Sequence, residues 1–372
     1  GEWISVFLAC ASEGIVVVSL SSSLTADAVI ERMRATGAGF LFISRSSLES
    51  IDLSNATRFA VLKSKTSMHI LRIDDVEDDA SITVATKNDI SAANFPCMIC
   101  FSSGTTGAAK AITLTQRNLL NNAFFVGHAL KYQPGQIILS LFPFFVAGGT
   151  VIGVLAALGC GSIIACPVSS KASADIIDSL NRHKPDYFMA SPRVVEQVLS
   201  EARDKVDFLA HLKCIGMGST PCLPKFINKL LLDFDVPSVS LIYGMSETSP
   251  VTFLQTISEP VAGDVAPVGQ LIPHLEAKII DDEGRTVPLG DVGELCIRGH
   301  ATMTGYWNNP RATAAMIDGT GWLHTGDLAY FDQRNVCYVL GRKADQVESE
   351  IGRLHPCVLE HVFLKHESVQ NA

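Results

Sequence analysis

Charge is sparse in this sequence: Asp, Glu, Lys and Arg together make up 18% of its 372 residues. Positive charge is the scarcer sign, with 29 basic residues against 38 acidic and a net charge of −9. There is no basic run. A nucleic-acid surface needs one, so its lack argues against that class of partner and favours a small-molecule site. Regular cysteine spacing is lacking too. The ten cysteines are scattered, and Cys97-x-x-Cys100 has no second pair and lies in an apolar run. Buried free thiols are expected there, not a zinc site or a redox pair, and this suits a reducing, intracellular compartment. The ten histidines do not cluster, and none is assigned to a metal. Between positions 132 and 170 charge is missing altogether, so a membrane span has to be weighed. Pro143, Gly148, Gly149, Gly159, Gly161 and Pro167 cut that stretch into pieces too short to cross. It reads better as core, with buried strands over 137–142 and 162–166 and a buried helix over 150–158.

What the chain does have is apolar bulk. It is 47% hydrophobic, which marks it as globular, and it is long enough for more than one folding unit. It begins at Gly1 and opens in the middle of an apolar pattern, so it reads as a fragment. Cytosol, peroxisome and mitochondrion are not distinguished, because targeting signals sit at termini.

The rest of the chain serves Phe101-Ser102-Ser103-Gly104-Thr105-Thr106-Gly107-Ala108-Ala109-Lys110. From Ser102 to Lys110, two glycines, four hydroxyl residues and one lysine fall within nine positions. Glycines let backbone N–H groups approach an anion, hydroxyls add donors, and Lys110 adds a mobile charge. An apolar strand over 95–101 precedes the run. After it, Thr115 is placed to cap a helix with Leu119, Leu120, Ala123 and Val126 on one face. Strand, loop and helix in that order would make a phosphate-binding loop, although GxxxxGK[ST] spacing is absent. From the run alone, a polar surface loop is an equal reading.

Company further along decides. Tyr243-Gly244-Met245-Ser246-Glu247-Thr248, Thr325-Gly326-Asp327 and Gly341-Arg342 follow in that order. Together the four motifs resemble the adenylate-forming superfamily of acyl-CoA synthetases, aryl-CoA ligases, firefly-type luciferases and peptide-synthetase adenylation domains. Nearly the whole chain takes part in the resemblance.

The resemblance implies an α/β fold: two α/β subdomains with mostly parallel sheets, plus a β-rich subdomain. Residues 1–249 would carry the α/β nucleotide- and acyl-binding subdomains, 250–340 the β-rich subdomain, 341–345 a hinge and 346–372 a stub of the C-terminal domain. The local patterns agree. A helix over 3–12, a strand over 15–20, a helix capped by Thr25 and a strand over 39–44 give a βαβ rhythm and predict a parallel sheet. Residues 54–91, with the acidic run 74–79, read as a surface excursion. Further helices are expected over 175–183 and 192–201 and strands over 187–190 and 240–243. After Pro250 helices give way to short strands at 277–280 and 293–298. Pro267-Val268-Gly269, the run 293–299, Gly305-Tyr306-Trp307 and Gly321-Trp322 also resemble family signatures, with structural roles.

By the same resemblance the reaction uses ATP and magnesium (Mg2+) to turn a carboxylic acid into an acyl-adenylate, and coenzyme A then takes the acyl group. Ser102, Ser103, Gly104, Thr105, Thr106, Gly107 and Lys110 would hold phosphates, with Thr106, Lys110 and Glu247 serving catalysis. Gly218, Ser219, Thr220 and Pro221, in the run from Cys214 to Pro221, would lie against adenine. Tyr243 would stack on it, with Gly244 and Ser246 beside it. Glu247 would hold Mg2+, and Asp327 and Arg342 the ribose. Phe144, Phe145, Val146 and Gly148 would line the acyl pocket. An amino-acid substrate is disfavoured, since an unpaired ammonium against those side chains is costly; an apolar acid, a fatty acid in particular, is expected.

Beyond Arg342 the match weakens. Asp345 fits the hinge, and Pro356 and Glu360 keep their spacing, but Glu350-Ile351 stands where the family has paired glycines. That loop is expected to hinder thioester formation more than adenylation, because Ile351 is β-branched and poorly suited to positive φ. The chain stops before the family's catalytic lysine. A luciferase-like oxygenase, a peptide-synthetase domain and a non-catalytic nucleotide binder stay open, the last because Ala109 and Ala111 replace proline and glycine.

Overall fold

In the computed structural model the described residues are 2–44, 59–62, 68–73, 93–102, 109–167, 172–202, 207–349, 352–363 and 368–369. They form two compact units, one of 1–117 with 303–313 and the other of 118–302 with 314–372.

In the first unit, helix Glu2–Ser12 leads to β1 (Val17–Val18), only two residues of the strand expected over 15–20. Helix Ala26–Thr36 follows, capped as expected by Thr25, whose Oγ1 accepts from the Ala28 N–H. Gly37 ends it in the left-handed conformation (φ 72°), which glycine adopts without strain. Val29 and Met33 bury the inner face of this helix against Leu20, Leu24 and Leu41. The expected βαβ unit does not form. β2 (Phe40–Ser44) instead joins β3 (Phe59–Leu62) and β4 (Met68–Ile73) in an antiparallel sheet ordered β2-β4-β3. Two strands thus lie within the stretch read as a surface excursion. The acidic run 74–79 lies outside the described residues.

β5 (Pro96–Ser102) pairs parallel with β1 and antiparallel with β6 (Lys110–Thr115), and β6 pairs with β16 (Gly305–Tyr306). This corrects the strand–loop–helix expectation: the stretch after the loop returns as a strand. Thr115 closes β6 and stands immediately before helix Gln116–Ala129, the place expected of its cap. The reason for the strand is local. Ile112, Thr113, Leu114 and Thr115 are all buried between β5 and β16, and three of the four are β-branched.

The second unit is built on an 11-stranded sheet. β7 (Ile137–Ser140), β8 (Ile163–Ala165), β9 (Tyr187–Ala190), β10 (Cys214–Gly218) and β11 (Val239–Gly244) run parallel, in the order β11-β10-β9-β7-β8. Helices Ser173–His183, Pro192–Ala202 and Pro224–Leu232 contribute to a core with Leu139, Phe188, Ile215 and Leu241. On the other side of β11 the sheet continues antiparallel. There lie β12 (Val251–Ile257), β13 (Pro267–Leu271), β14 (Leu275–Ile280), β15 (Gly293–Gly299), β17 (Leu323–Phe331) and β18 (Cys337–Arg342). The change of rhythm after Pro250 is therefore a change of strand direction within one sheet, and the sheet does not break there. Helices do not vanish either: Pro310–Met316 is one, in neither unit alone, with no buried residue to mark it in the sequence.

The uncharged stretch folds as β7, a wide π-type helix Gly149–Leu155 with every residue buried, a short helix Ala156–Gly159, and β8. Among the described residues no helix is long and apolar enough to cross a membrane. Past β18 and the turn Lys343–Asp345, β19 (Val347–Ser349) and β20 (Gly352–Leu354) pair antiparallel, and helix Pro356–Phe363 follows. Glu350 and Ile351, on which the hinge-loop expectation rests, lie outside the described residues.

Candidate active site

The second unit holds a cavity of about 330 Å³ beyond the carboxyl ends of β10 and β11, where open α/β sheets receive their ligands. Its size is at the lower end for small-molecule pockets. Four of the anticipated groups line it together: the turn Ser219-Thr220-Pro221, Tyr243 with Gly244, Asp327 and Arg342.

Small residues bring the backbone close here. A Cβ on Gly218 would stand 2.7 Å from the Ile242 carbonyl oxygen, and one on Gly244 would overlap that of Pro250. Ser219 follows with φ +77°, a left-handed conformation that costs a serine energy.

Asp327 and Arg342 come from different strands. β17 and β18 run antiparallel with these two residues directly opposite, so the side chains meet: Arg342 Nε lies 3.2 Å from Asp327 Oδ1. Arg342 also donates to the Thr325 carbonyl at 3.0 Å. The other carboxylate oxygen, Oδ2, accepts from the Tyr243 hydroxyl at 2.6 Å. The Asp327 side chain is only 10% exposed and that of Arg342 is 46% exposed. Burial pushes the Asp327 carboxyl above the ordinary carboxylate range, against the pull of Tyr243 and Arg342. The same burial, with Asp327 alongside, raises the Tyr243 hydroxyl well above its usual value, so it remains a donor.

Ser246 and Glu247 sit on a tight turn, Ser246–Thr248, just past β11. Thr248 holds the turn, its Oγ1 accepting from the Met245 N–H at 3.1 Å. Glu247 is 5% exposed. Asn122, on helix Gln116–Ala129, braces the following segment: its amide donates to the Val251 carbonyl at 2.7 Å and accepts from the Val251 N–H at 3.2 Å. Sequence reading missed Asn122 and took Leu120 for the buried face. Leu120 is 54% exposed, while Asn118 and Asn122 are buried. A polar residue in register with Leu119, Ala123 and Val126 was the available signal.

Phe144, Phe145, Val146 and Gly148 lie half-buried in the turn between β7 and the wide helix. Thr150 ties that turn down, its hydroxyl donating to the Phe144 carbonyl at 2.8 Å. None of the four lines the cavity at β10 and β11. Cavity walls that sequence reading did not anticipate come from Val265 and Ala266, before β13, and from Pro356, Cys357 and Glu360, past the turn Lys343–Asp345. Cys357 packs with Leu328 and Leu340, and burial pushes its thiol up to about 11.

In the first unit, Ser102 closes β5 and Lys110 opens β6, and the two are paired in register. The Lys110 ammonium lies 5.1 Å from the centre of the Tyr306 ring, a cation–π distance. Tyr306 belongs to the Gly305-Tyr306-Trp307 signature, whose Trp307 N–H donates to the Ala111 carbonyl at 2.7 Å. Ser103, Gly104, Thr105, Thr106 and Gly107 lie outside the described residues.

Solved structures share this fold. The anthranilate CoA ligase AuaEII, solved with anthranoyl-AMP, superposes with a TM-score of 0.83 at 19% identity, over 100% of this chain and 70% of that one. This is the fold of adenylate-forming enzymes. The model of the AMP-binding enzyme family matches residues 1–307, and the chain belongs to that family. Among curated relatives it is 28% identical to the acyl-CoA ligase sidI of Aspergillus fumigatus, over 100% of this chain and 67% of the relative. It is 31% identical to the mitochondrial medium-chain acyl-CoA ligase ACSF2 of Homo sapiens, over 74% of this chain and 46% of that protein. The chain thus spans about half to two thirds of the length of these relatives.

Proposed function

We propose that the intact protein activates a carboxylic acid with ATP to an acyl-adenylate, releasing pyrophosphate, and then passes the acyl group to coenzyme A. One observation carries the nucleotide half of this reading. A buried carboxylate, an arginine and a tyrosine converge on a cavity beyond the carboxyl ends of β10 and β11, in a chain of the AMP-binding family. The acyl half rests on relatives named acyl-CoA ligases.

Each residue then has a task. Ser219, Thr220 and Pro221 form a flat wall for adenine, with Gly218 keeping the backbone close, and Tyr243 stacks on the ring. Asp327 accepts from the ribose hydroxyls while Arg342 balances its charge. Ser102, Ser103, Thr105, Thr106 and Lys110, around Gly104 and Gly107, donate to the β- and γ-phosphates. The acid's carboxylate attacks the α-phosphorus, the bond to the bridging oxygen breaks, and pyrophosphate leaves. Charge gathers on phosphate oxygens in that step, so positioned donors supply most of the catalysis. Glu247 is a buried carboxylate just past β11, with Ser246 beside it. A buried carboxylate acting with substrate phosphates is a donor set that fits magnesium. When bound, the ion neutralises phosphate charge.

Phe144, Phe145 and Val146 favour an apolar acid, a fatty acid in particular, because they offer an ammonium no partner. An intracellular site of action suits ten cysteines all in the free state. The test is to give the intact protein ATP, Mg2+, coenzyme A and a panel of acids, and to detect thioesters by mass spectrometry. Thioester from apolar acids supports the reading. Product from free amino acids alone, or from no acid at all, refutes it.

A further inference from the structure

Stacking on a base uses the ring of Tyr243 and leaves its hydroxyl over. That hydroxyl donates to Asp327 Oδ2 at 2.6 Å, the short length typical of a bond to an ionised acceptor. The opposite oxygen, Oδ1, faces Arg342 Nε at 3.2 Å. The carboxylate is thus held from both sides, by β11 and by β18. Its backbone is anchored as well: the Asp327 N–H donates to Thr325 Oγ1 at 3.1 Å, and Thr325 Oγ1 donates to the Leu295 carbonyl at 2.8 Å. With one lone pair of each oxygen occupied, the remaining lone pairs have a fixed direction. A vicinal diol needs such an acceptor.

We propose that Tyr243 is a positioning residue: its hydroxyl keeps the Asp327 carboxylate ionised and oriented to accept both ribose hydroxyls of the nucleotide. This rests on the nucleotide reading of the cavity given above. The groups acting on Asp327 come from three strands of the sheet. Tyr243 on β11 and Arg342 on β18 favour the ionised form, while Glu294 on β15 and burial oppose it. Burial is the largest of these influences and raises the carboxyl, and the Tyr243 hydroxyl is first among the groups that pull it back. Taking away the hydroxyl moves the carboxyl further up, and acid then protonates it sooner. The hydroxyl itself does not ionise in the working range, being pushed up by burial and by Asp327, with Cys337 adding to the push.

Tyr243→Phe keeps the ring and removes only the hydroxyl. AMP and 2′,3′-dideoxy-AMP are titrated calorimetrically against parent and variant, from about pH 5 to about pH 8. Loss of a hydrogen bond to an ionised group predicts that AMP affinity falls about tenfold at neutral pH, while the dideoxy analogue changes less than about twofold. The pH at which acid abolishes AMP binding should move upward in the variant. The AMP phosphate titrates alike in both proteins, so the difference in midpoint reports the carboxyl. A double-mutant cycle with Asp327→Asn should show that Tyr243→Phe no longer shifts any midpoint. Equal losses for both nucleotides, or coincident midpoints, overturn the proposal and leave Tyr243 as packing. Failure of the parent to bind AMP at all overturns the nucleotide reading, and this proposal with it.

Discussion

Replacing Asp327 by asparagine separates what the carboxylate does for the ligand from what it does for the fold. The side chain keeps its size, and its amide oxygen still accepts from the Tyr243 hydroxyl, which lies 2.6 Å from Oδ2 in the parent. What is lost is the negative charge and one acceptor. For the ribose diol that removes one hydrogen bond to an ionised group, worth about 1.5–3 kcal/mol, or about 10- to 100-fold in affinity. For the fold the sign is opposite. The folded-state pKa of Asp327 is raised, since burial outweighs Tyr243 and Arg342, so the ionised carboxylate is a net cost to the folded state. That cost is present above the folded pKa and vanishes below the unfolded one. The ion pair with Arg342 offsets little, about 0–1 kcal/mol, because the arginine side chain is 46% exposed. Asp327→Asn should therefore leave the unfolding midpoint at pH 7 unchanged or higher, and the gap between variant and parent should close as pH falls. Calorimetric titration with AMP and thermal unfolding at two pH values measure both halves. A midpoint several degrees lower at pH 7, with AMP affinity intact, would mean that the carboxylate serves the fold and not the nucleotide.

Glu247→Gln should cut acid-dependent pyrophosphate exchange by about 10²- to 10³-fold with the fold intact; near-normal exchange would remove Glu247 from the reaction. Gly149→Ala should destabilise the protein by about 3 kcal/mol or more in chemical denaturation, because a Cβ there would overlap the backbone carbonyls of Phe142 and Pro143. Gly159→Ala, whose Cβ meets nothing within 4 Å, is the neutral control, and equal effects from the two would refute the steric argument. Asp282 pairs with Lys343 and Arg353 at 3.0 Å each. Asp282→Asn should speed tryptic cleavage of the segment beyond Arg342 without moving the global midpoint, as expected for exposed ion pairs; unchanged cleavage would show that the pairs do not hold that segment.

Legibility in the sequence followed the range of the interaction. Thr25 announced its helix because an N-cap acts over three residues. The run 240–243 announced β11 because a buried parallel strand reads as a continuous apolar stretch. The antiparallel return at Lys110–Thr115 was equally local, and a familiar loop pattern obscured it: Ile112 and Leu114 alternate with threonines as a strand requires. Residues 59–62 and 68–73 form a sheet only with β2, which no short window contains. The motifs singled out Asp327 and Arg342. Their pairing across β17 and β18, and the Tyr243 hydroxyl at 2.6 Å, depend on sheet register, which the motifs do not encode. The walls contributed by Pro356 and Cys357 are tertiary in the same sense.

Adenylation itself is the central claim, and acid-dependent exchange of labelled pyrophosphate into ATP by the intact protein tests it most directly. Apolar carboxylic acids should support exchange that requires magnesium, and hydroxylamine should trap the matching hydroxamates. Free amino acids should support neither. ATP binding with no exchange for any acid would contradict the account and leave a nucleotide-binding protein without ligase chemistry.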